Sequence, residues 1–346
     1  LCNQFPLSDK AGDQFIAGFG IDISEQKNAE EELRESRSRY MLLSKTAGLL
    51  LEAEDPLKAV HEVICDVMAQ LDCQVFFNFI LDDAAGKLRD LSGLLDDLTP
   101  RMLSPQALDV LRAIDPERLP LVSGSPRIGV PWSGMGKFVA IGLNFSDHAA
   151  ESGNPIPKEP TMFNKWLSCV CGPNDDTIVP PESTKLDWEV ELGIVMGRRA
   201  KNVSQADALD HVAGFVLIND ISERSYQIDR SGGQWSKGKG FDTFGPVGPW
   251  LVTRDEITDP QALDMWLDVN GQRRQTGNTG KMIFPCDYLV SYCSRIMTLE
   301  PGDLITTGTP PGVGLGCKPP QFLKVGDVVE LGVTGLGQQR QRIVAG

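Results

Sequence analysis

The chain has 346 residues, of which 41% are hydrophobic and 23% charged, so it can bury a sizeable core and wholesale disorder is excluded. A formal net charge of −14 argues against nucleic acid and anionic membranes as partners, because both bind basic patches. No apolar run approaches the roughly 18 residues of a membrane span, and no signal peptide is recognised. The eight cysteines are therefore expected to be free thiols of a cytoplasmic protein.

The first part of the chain, residues 1–86, is predicted to be a mainly helical leader. Glu25–Lys45 carries apolar residues at heptad spacing, and Pro56–Leu71 places its apolar residues on one face, so both are predicted helices. Gln74–Leu81 and Lys87–Leu91 flank a Gly-containing turn and are predicted to form a hairpin.

Two motifs of this leader resemble parts of sensory proteins. Phe19–Lys27 resembles the end of a PAS domain that runs into a signalling helix, and Ala47–Leu88 resembles the opening of a GAF domain. We therefore divide the leader into a PAS-end fragment with its helix (1–45) and a truncated GAF-like fragment (46–86). Because both are incomplete, we interpret them as a fused leader. The alternative is a non-catalytic signalling fusion, which a comparison of activity and oligomeric state with and without residues 1–86 would distinguish.

From residue 87 the chain becomes rich in Gly, Pro and short apolar segments, which predicts an α+β domain that is mainly β. We predict a small N-terminal segment over 87–130 and a catalytic domain over 131–346. Its few predicted helices are Phe145–Glu151, Gln205–Val212 and Asp287–Met297.

Three acidic residues could form a metal site. Glu189 and Glu191 alternate with apolar residues on a predicted strand, so they share a face and lie roughly 6.6 Å apart along it. They could converge on one cation, or they could belong to a solvent-facing strand edge with Lys185 as counter-charge. Asp220 follows the apolar strand Phe215–Ile218, where a carboxylate is either a turn cap or a ligand. Three carboxylates suit a hard divalent cation, whereas Zn²⁺ would recruit Cys or His.

A possible general base lies on the predicted helix Phe145–Glu151. His148 and Glu151 are three residues apart, so they share a helix face and can touch. A carboxylate that orients an imidazole makes a base able to activate water. The same spacing also fits a surface ion pair.

Two glycine-rich loops offer further candidates. Ser231–Asp242 nearly matches a P-loop but has Gly240 where Ser or Thr is required, so we reject nucleotide binding and place Lys239 opposite an anionic substrate. Gly302–Gly314 could hold a carboxylate on its backbone N–H groups or be a structural turn. Nothing in the sequence activates Cys169 or Cys171, which we assign to the core.

Together these motifs are more specific than any one of them. From about Lys87 to the C-terminus, the chain resembles the fumarylacetoacetate hydrolase family. The motifs that carry the resemblance are Leu143–Glu151, Asp187–Gly193, Asn219-Asp220 with Arg224, Lys239–Asp242 and Thr307–Pro310. Two departures are Phe145, where the family often has Tyr, and the hairpin Val75–Asp90, which replaces the family's own N-terminal strand pair.

The resemblance implies a mixed β-roll or sandwich fold and a homodimer. It implies a metal site for Mg²⁺ or Mn²⁺ formed by Glu189, Glu191 and Asp220. It places the catalytic residues His148 and Glu151 on a lid helix and sets Lys239 and Thr309 against the substrate. Arg224 and Gln227 are the implied further substrate contacts.

Four other segments resemble a bacterial subgroup. They are Gly172–Asp175, His211–Gly214, Gly245–Trp250 and Gly335–Arg340. The subgroup includes 2,4-diketo-3-deoxy-L-rhamnonate and L-fuconate hydrolases, often labelled ureidoglycolate lyases. The expected activity is therefore metal-dependent hydrolysis of a C–C bond in a 2,4-diketo acid, giving pyruvate and a hydroxy acid. Decarboxylation of an oxaloacetate-type acid and ureidoglycolate lyase activity are the alternatives on the same site.

Overall fold

The protein is described from a computed structural model that covers residues 2–8, 14–20, 79–82, 87–91, 94, 97–153 and 155–346. The chain divides into two compact units, Leu1–Val75 and Phe76–Gly346. In the first unit, the described residues form an antiparallel hairpin of β1 (Cys2–Ser8) and β2 (Gln14–Gly20), which the sequence did not predict. The predicted helices Glu25–Lys45 and Pro56–Leu71 lie outside the described residues.

The second unit consists mostly of short strands. In chain order its strands are β3 (Phe79–Asp82), β4 (Lys87–Asp90), β5 (Phe138–Gly142), β6 (Thr161–Lys165), β7 (Val170–Cys171), β8 (Thr177–Val179), β9 (Leu186–Asp187), β10 (Val190–Met196), β11 (Val212–Asn219), β12 (Ser222–Glu223), β13 (Gly245–Pro246), β14 (Val252–Thr253), β15 (Asp264–Val269), β16 (Gln272–Asn278), β17 (Leu304–Thr306), β18 (Val328–Val333) and β19 (Gln338–Ala345). Its described α-helices are α1 (Pro105–Arg112), α2 (Ser146–Ser152), α3 (Ser236–Lys239) and α4 (Cys286–Ile296).

Two mixed sheets form the body of this unit. The larger has the strand order β14-β11-β10-β17-β5-β6, in which only β17 and β5 run parallel, and the smaller has the order β16-β15-β18-β19-β8. Strand β10 contacts β15 and β18 across the core, and β11 contacts β18. This mainly β architecture with few helices confirms the predicted fold class, and the strand pair β3–β4 confirms the predicted hairpin.

The core lies between the two sheets. Every residue of β10 and β11 is buried, because these central strands are covered on both faces. The buried side chains between the sheets include Leu192, Ile194, Leu217, Leu267 and Leu331. Glu191 on β10 and Glu189 immediately before this strand are both buried, which excludes the solvent-facing alternative for them.

Two of the three predicted helices are confirmed within one residue at each end, as α2 and α4. The predicted helix Gln205–Val212 is wrong, because only the 3-10 turn Ala208–His211 forms there. Val212 is the first residue of β11 and pairs with Met196. Pairing in a central strand therefore outweighs the local helical pattern.

The register of β10 and β11 determines where the acidic residues meet. The strands are antiparallel, and Val190 at the start of β10 pairs with Asn219 at the end of β11. Glu189 and Asp220 flank this pair, and the Asp220 backbone N–H donates to the Glu189 carbonyl over 2.9 Å. On the other side of β10, β17 leads into a turn at Thr307–Thr309.

Candidate metal centre

Glu189, Glu191 and Asp220 converge in the structure. Each offers a carboxylate oxygen, and the three oxygens lie within 4.8 Å of one another. The residues are only 6%, 1% and 1% exposed. The carboxylates of the two glutamates therefore point toward the same position, and the Asp220 carboxylate lies beside them.

Three buried cations surround two of these carboxylates. Lys239 Nζ lies 2.7 Å from both Glu189 Oε2 and Asp220 Oδ2. Lys165 Nζ lies 2.5 Å from Asp220 Oδ1, and an Nη atom of Arg224 lies 2.7 Å from Glu189 Oε1. Burial by itself would raise the pKa of Glu189, but Lys239 and Arg224 outweigh it and hold this pKa at about 2.

Glu191 is in a different position from its two neighbours. Its Oε2 accepts hydrogen bonds from Thr306 Oγ1 and from the Gly308 backbone N–H at 2.9 Å, and within the described residues it forms no ion pair. Burial, together with the charges of Asp220 and Glu189, raises the pKa of Glu191 well above its usual range.

The charges at the centre do not balance when Glu191 is ionised. Three carboxylates then face two ammonium groups, Lys165 and Lys239, since Arg224 is also paired with Asp187 at 2.8 Å. One negative charge is left over in a buried volume, which is costly. A divalent cation would remove this cost, and an all-oxygen donor set is the kind that Mg²⁺ or Mn²⁺ prefers. The residues therefore fit such an ion.

The turn after β17 supports Glu191 and adjoins α2. Gly308 has a φ of 91°, and a Cβ there would lie 2.9 Å from Asn144 Cβ, so only glycine fits while donating to Glu191. Asn144 Nδ2 donates to the Thr307 carbonyl over 2.8 Å. The residues just before α2 are thus anchored to the turn that contacts a predicted ligand.

The predicted contact between His148 and Glu151 forms on α2. His148 Nδ1 lies 3.1 Å from Glu151 Oε2, and both side chains are partly exposed. The Gly312 backbone N–H donates to Glu151 Oε1 over 3.1 Å, and the Gly312 carbonyl accepts from Trp188 Nε1 over 3.1 Å. One loop residue therefore joins the His148–Glu151 pair to the residue that precedes Glu189.

The predicted substrate residues are buried beside the centre. Arg224 donates to Gln227 Oε1 over 2.8 Å, and Gln227 lies in the π-helical turn Ser225–Asp229. Thr309 Oγ1 donates to the Val190 carbonyl over 2.9 Å, so its proton is committed to the backbone of β10. Their contact with a substrate remains a prediction.

Two residues of the centre were not assigned from the sequence. Lys165 ends the short strand β6, and its ammonium group also donates to the Lys239 carbonyl, so it fixes both Asp220 and Lys239. Asp187 accepts from Arg224 and from the Gly314 and Leu315 backbone N–H groups. The alternation that singled out Glu189 includes Asp187, but nothing in the sequence marks Lys165, because lysines are ordinarily exposed.

Neither the thiols nor the helices of the described residues suggest another kind of site. Cys169 is buried, which raises its pKa to about 11 and keeps the thiol protonated. Cys286 and Cys293 are also free and buried. No helix in the described part of the chain is long and apolar enough to cross a membrane.

Comparison with known proteins identifies relatives of this chain. Residues 137–344 match the family described as "Fumarylacetoacetate (FAA) hydrolase C-terminal". A Burkholderia cenocepacia (strain HI2424) protein with a provisional hydrolase name is 61% identical over 261 residues, which cover 75% of this chain and 92% of that protein.

Two solved structures have the same fold. The fumarylacetoacetate hydrolase of Exiguobacterium antarcticum is 30% identical, with a TM-score of 0.66, over 78% of this chain and 99% of that one. The 5-carboxymethyl-2-hydroxymuconate delta-isomerase of Mycobacterium smegmatis is 37% identical, with a TM-score of 0.54, over 61% of this chain and 78% of that one.

Proposed function

The chain belongs to the fumarylacetoacetate hydrolase family, and from this premise we propose that it hydrolyses a C–C bond in a 2,4-diketo acid with Mg²⁺ or Mn²⁺. The products are pyruvate and a second acid, which is a hydroxy acid if the substrate is a 2,4-diketo-3-deoxy sugar acid. The observation that carries the proposal is the buried triad of Glu189, Glu191 and Asp220, in which ionised Glu191 has no cation partner among the described residues.

The three carboxylates would hold the ion. When bound, the ion supplies Lewis acidity toward the oxygen atoms of a keto acid and so favours negative charge on them. Lys239 contacts Glu189 and Asp220, so its ammonium group would stabilise an enolate that develops beside the same carboxylates. Lys165 fixes Asp220 and the Lys239 backbone from behind.

The His148–Glu151 pair would supply the base. In the tautomer in which His148 Nδ1 donates to Glu151 Oε2, Nε2 is the nitrogen that would accept a proton from water. The water oxygen adds to the C4 carbonyl, and the C3–C4 bond then breaks with its electron pair moving to C3. Protonation of C3 completes pyruvate, and the fragment that contains C4 leaves as a carboxylic acid.

The proposal is tested with a substrate panel. The purified chain is incubated with acylpyruvates and 2,4-diketo-3-deoxy sugar acids, with Mg²⁺, Mn²⁺ or EDTA, and pyruvate is measured. We expect pyruvate only with a metal, and loss of it in Glu189→Gln and Asp220→Asn. The matched control is Glu182→Gln, because Glu182 is a solvent-exposed carboxylate outside the centre. Full activity in EDTA would refute the metal dependence.

A second activity is suggested by the isomerase relative. Isomerisation moves a proton and a double bond and needs no attacking water, and decarboxylation of an oxaloacetate-type acid likewise needs none. Ureidoglycolate lyase activity would release urea. Oxaloacetate, ureidoglycolate and 5-carboxymethyl-2-hydroxymuconate are therefore added to the panel. If one of them yields CO₂, urea or an isomer while no diketo acid yields pyruvate, hydrolysis is the wrong assignment.

We also propose that the protein acts as a homodimer on a small keto acid and binds neither nucleic acid nor membranes. The family resemblance and the net charge of −14 support this. Light scattering coupled to size-exclusion chromatography tests the dimer directly, and a monomer mass near 37.8 kDa would contradict it.

A further inference from the structure

The backbone that carries Glu189 is held by the pair Asn219-Asp220. The Glu189 N–H donates to Asn219 Oδ1 over 3.1 Å, and the Glu189 carbonyl accepts from the Asp220 N–H over 2.9 Å. Asn219 is fully buried. The backbone N–H and carbonyl of Glu189, one predicted ligand, are therefore both held by hydrogen bonds. Asn219 holds the N–H, and Asp220, a second predicted ligand, holds the carbonyl.

Asn219 is itself held by a chain of buried side-chain amides. Its Nδ2 donates to Gln341 Oε1 over 3.0 Å, and Gln341 Nε2 donates to the Pro173 carbonyl. Gln341 belongs to the last strand, β19, and is fully buried. The chain of hydrogen bonds therefore runs from the Pro173 carbonyl through Gln341 and Asn219 to Glu189.

The direction of this chain is fixed at both ends. The Pro173 carbonyl can only accept, and the Glu189 N–H can only donate. Each amide between them consequently has one allowed orientation, because turning either one would bring two donors or two acceptors face to face in a buried place. These hydrogen bonds therefore orient the Asn219 side-chain oxygen toward the Glu189 N–H.

We propose that the Asn219–Gln341 amide chain is a positioning device that holds Glu189 at the distance from Asp220 that a divalent cation requires. The proposal rests on the metal site described above. Groups that orient metal ligands without touching the ion typically change metal affinity by about 10- to 100-fold when they are removed. Gln341 would thus control the site although its strand contributes no ligand to it.

The same strand provides a matched control. Gln339 is equally buried and lies two residues before Gln341. Its Nε2 donates to the Leu217 and Gly248 carbonyls, both at 2.8 Å, and its Oε1 accepts from Gln341 Nε2 over 3.1 Å. Gln339→Met and Gln341→Met therefore remove the same group from the same strand. Gln339→Met takes one acceptor from Gln341 Nε2 but leaves the Gln341 bonds to Asn219 and to the Pro173 carbonyl in place, whereas Gln341→Met removes both of those bonds.

The test measures Mn²⁺ binding by the full chain, with free Mn²⁺ counted from its electron paramagnetic resonance signal. Thermal unfolding without metal reports the structural damage that both variants share. We expect Mn²⁺ affinity to fall about 10- to 100-fold in Gln341→Met and less than about 3-fold in Gln339→Met, with similar shifts of the unfolding midpoint. Equal losses of affinity in the two variants would overturn the positioning role. Absence of Mn²⁺ binding by the unsubstituted chain would instead refute the metal site itself.

A measurement on the unsubstituted chain tests the proposal if Gln341→Met does not fold. Side-chain amide resonances of Asn219, Gln341 and Gln339 are followed by NMR in the ¹⁵N-labelled chain as Mg²⁺ is added. We expect those of Asn219 and Gln341 to shift at the same Mg²⁺ concentration, and those of Gln339 to move less. Unchanged Asn219 and Gln341 signals in a chain that binds Mg²⁺ would contradict the proposal.

Discussion

Replacing Glu191 with glutamine should stabilise the metal-free protein, and the gain should increase as the pH rises. Burial and the charges of Asp220 and Glu189 raise the pKa of Glu191, whereas the pKa of this carboxyl in the unfolded chain is about 4.3. The folded protein therefore keeps a proton that the unfolded chain releases. The contribution of this retained proton to the free energy of unfolding is complete below about pH 4.3 and is lost as the pH rises toward the raised pKa of Glu191.

The magnitude follows from the geometry of the centre. One proton difference between the two states costs about 1.4 kcal/mol of stability for each pH unit in that window. Ionising Glu191 within 4.8 Å of another carboxylate costs roughly 3.5 kcal/mol per charge pair at an effective dielectric constant of about 20. A glutamine oxygen can accept the same two bonds from Thr306 and Gly308 without titrating.

The assay is urea unfolding in EDTA at several pH values, followed by tryptophan fluorescence. All six tryptophans lie after residue 131, so the signal reports the unit that contains the centre. Relative to Glu191→Gln, we expect the unsubstituted chain to lose about 1.4 kcal/mol per pH unit above about pH 4.3. The exposed-site control Glu182→Gln should follow the unsubstituted chain.

Addition of metal should act in the opposite direction and favour the unsubstituted chain. At a concentration about 100 times its dissociation constant, Mg²⁺ stabilises a protein that binds it only when folded by about 2.7 kcal/mol. We expect this gain in the unsubstituted chain and its absence in Glu191→Gln. Parallel pH profiles, or equal stabilisation of both proteins by Mg²⁺, would refute the reasoning.

Three further outcomes are expected. Arg224→Met should destabilise the protein by about 3–5 kcal/mol in urea unfolding, because Asp187 and Glu189 lose a buried partner. Lys165→Met should lower Mg²⁺ affinity in calorimetry less than Asp220→Asn does, because Lys165 orients a ligand without being one; a larger loss would contradict this role. His148→Gln should bind Mg²⁺ normally but reduce kcat about 100-fold or more, and an unchanged kcat would remove His148 from catalysis.

The sequence was most informative where the chemistry depends on neighbours in the chain. Alternation along one strand put Glu189 and Glu191 on one face, and spacing on one helix put His148 beside Glu151. Both are local regularities of backbone geometry. The same regularities failed at Gln205–Val212, where pairing of Val212 in a central strand replaced the predicted helix.

Only the tertiary structure decided whether those carboxylates form a site. A strand with alternating acidic residues has the same sequence pattern whether one of its faces meets water or a second sheet, and the covering sheet here comes from distant segments of the chain. Lys165 reaches Asp220 across 55 residues, and Asn219 reaches Gln341 across 122. Such contacts are set by the packing of one segment on another. The sequence therefore identified the candidate ligands, and the fold determined their burial, their charged neighbours and their hydrogen-bond partners.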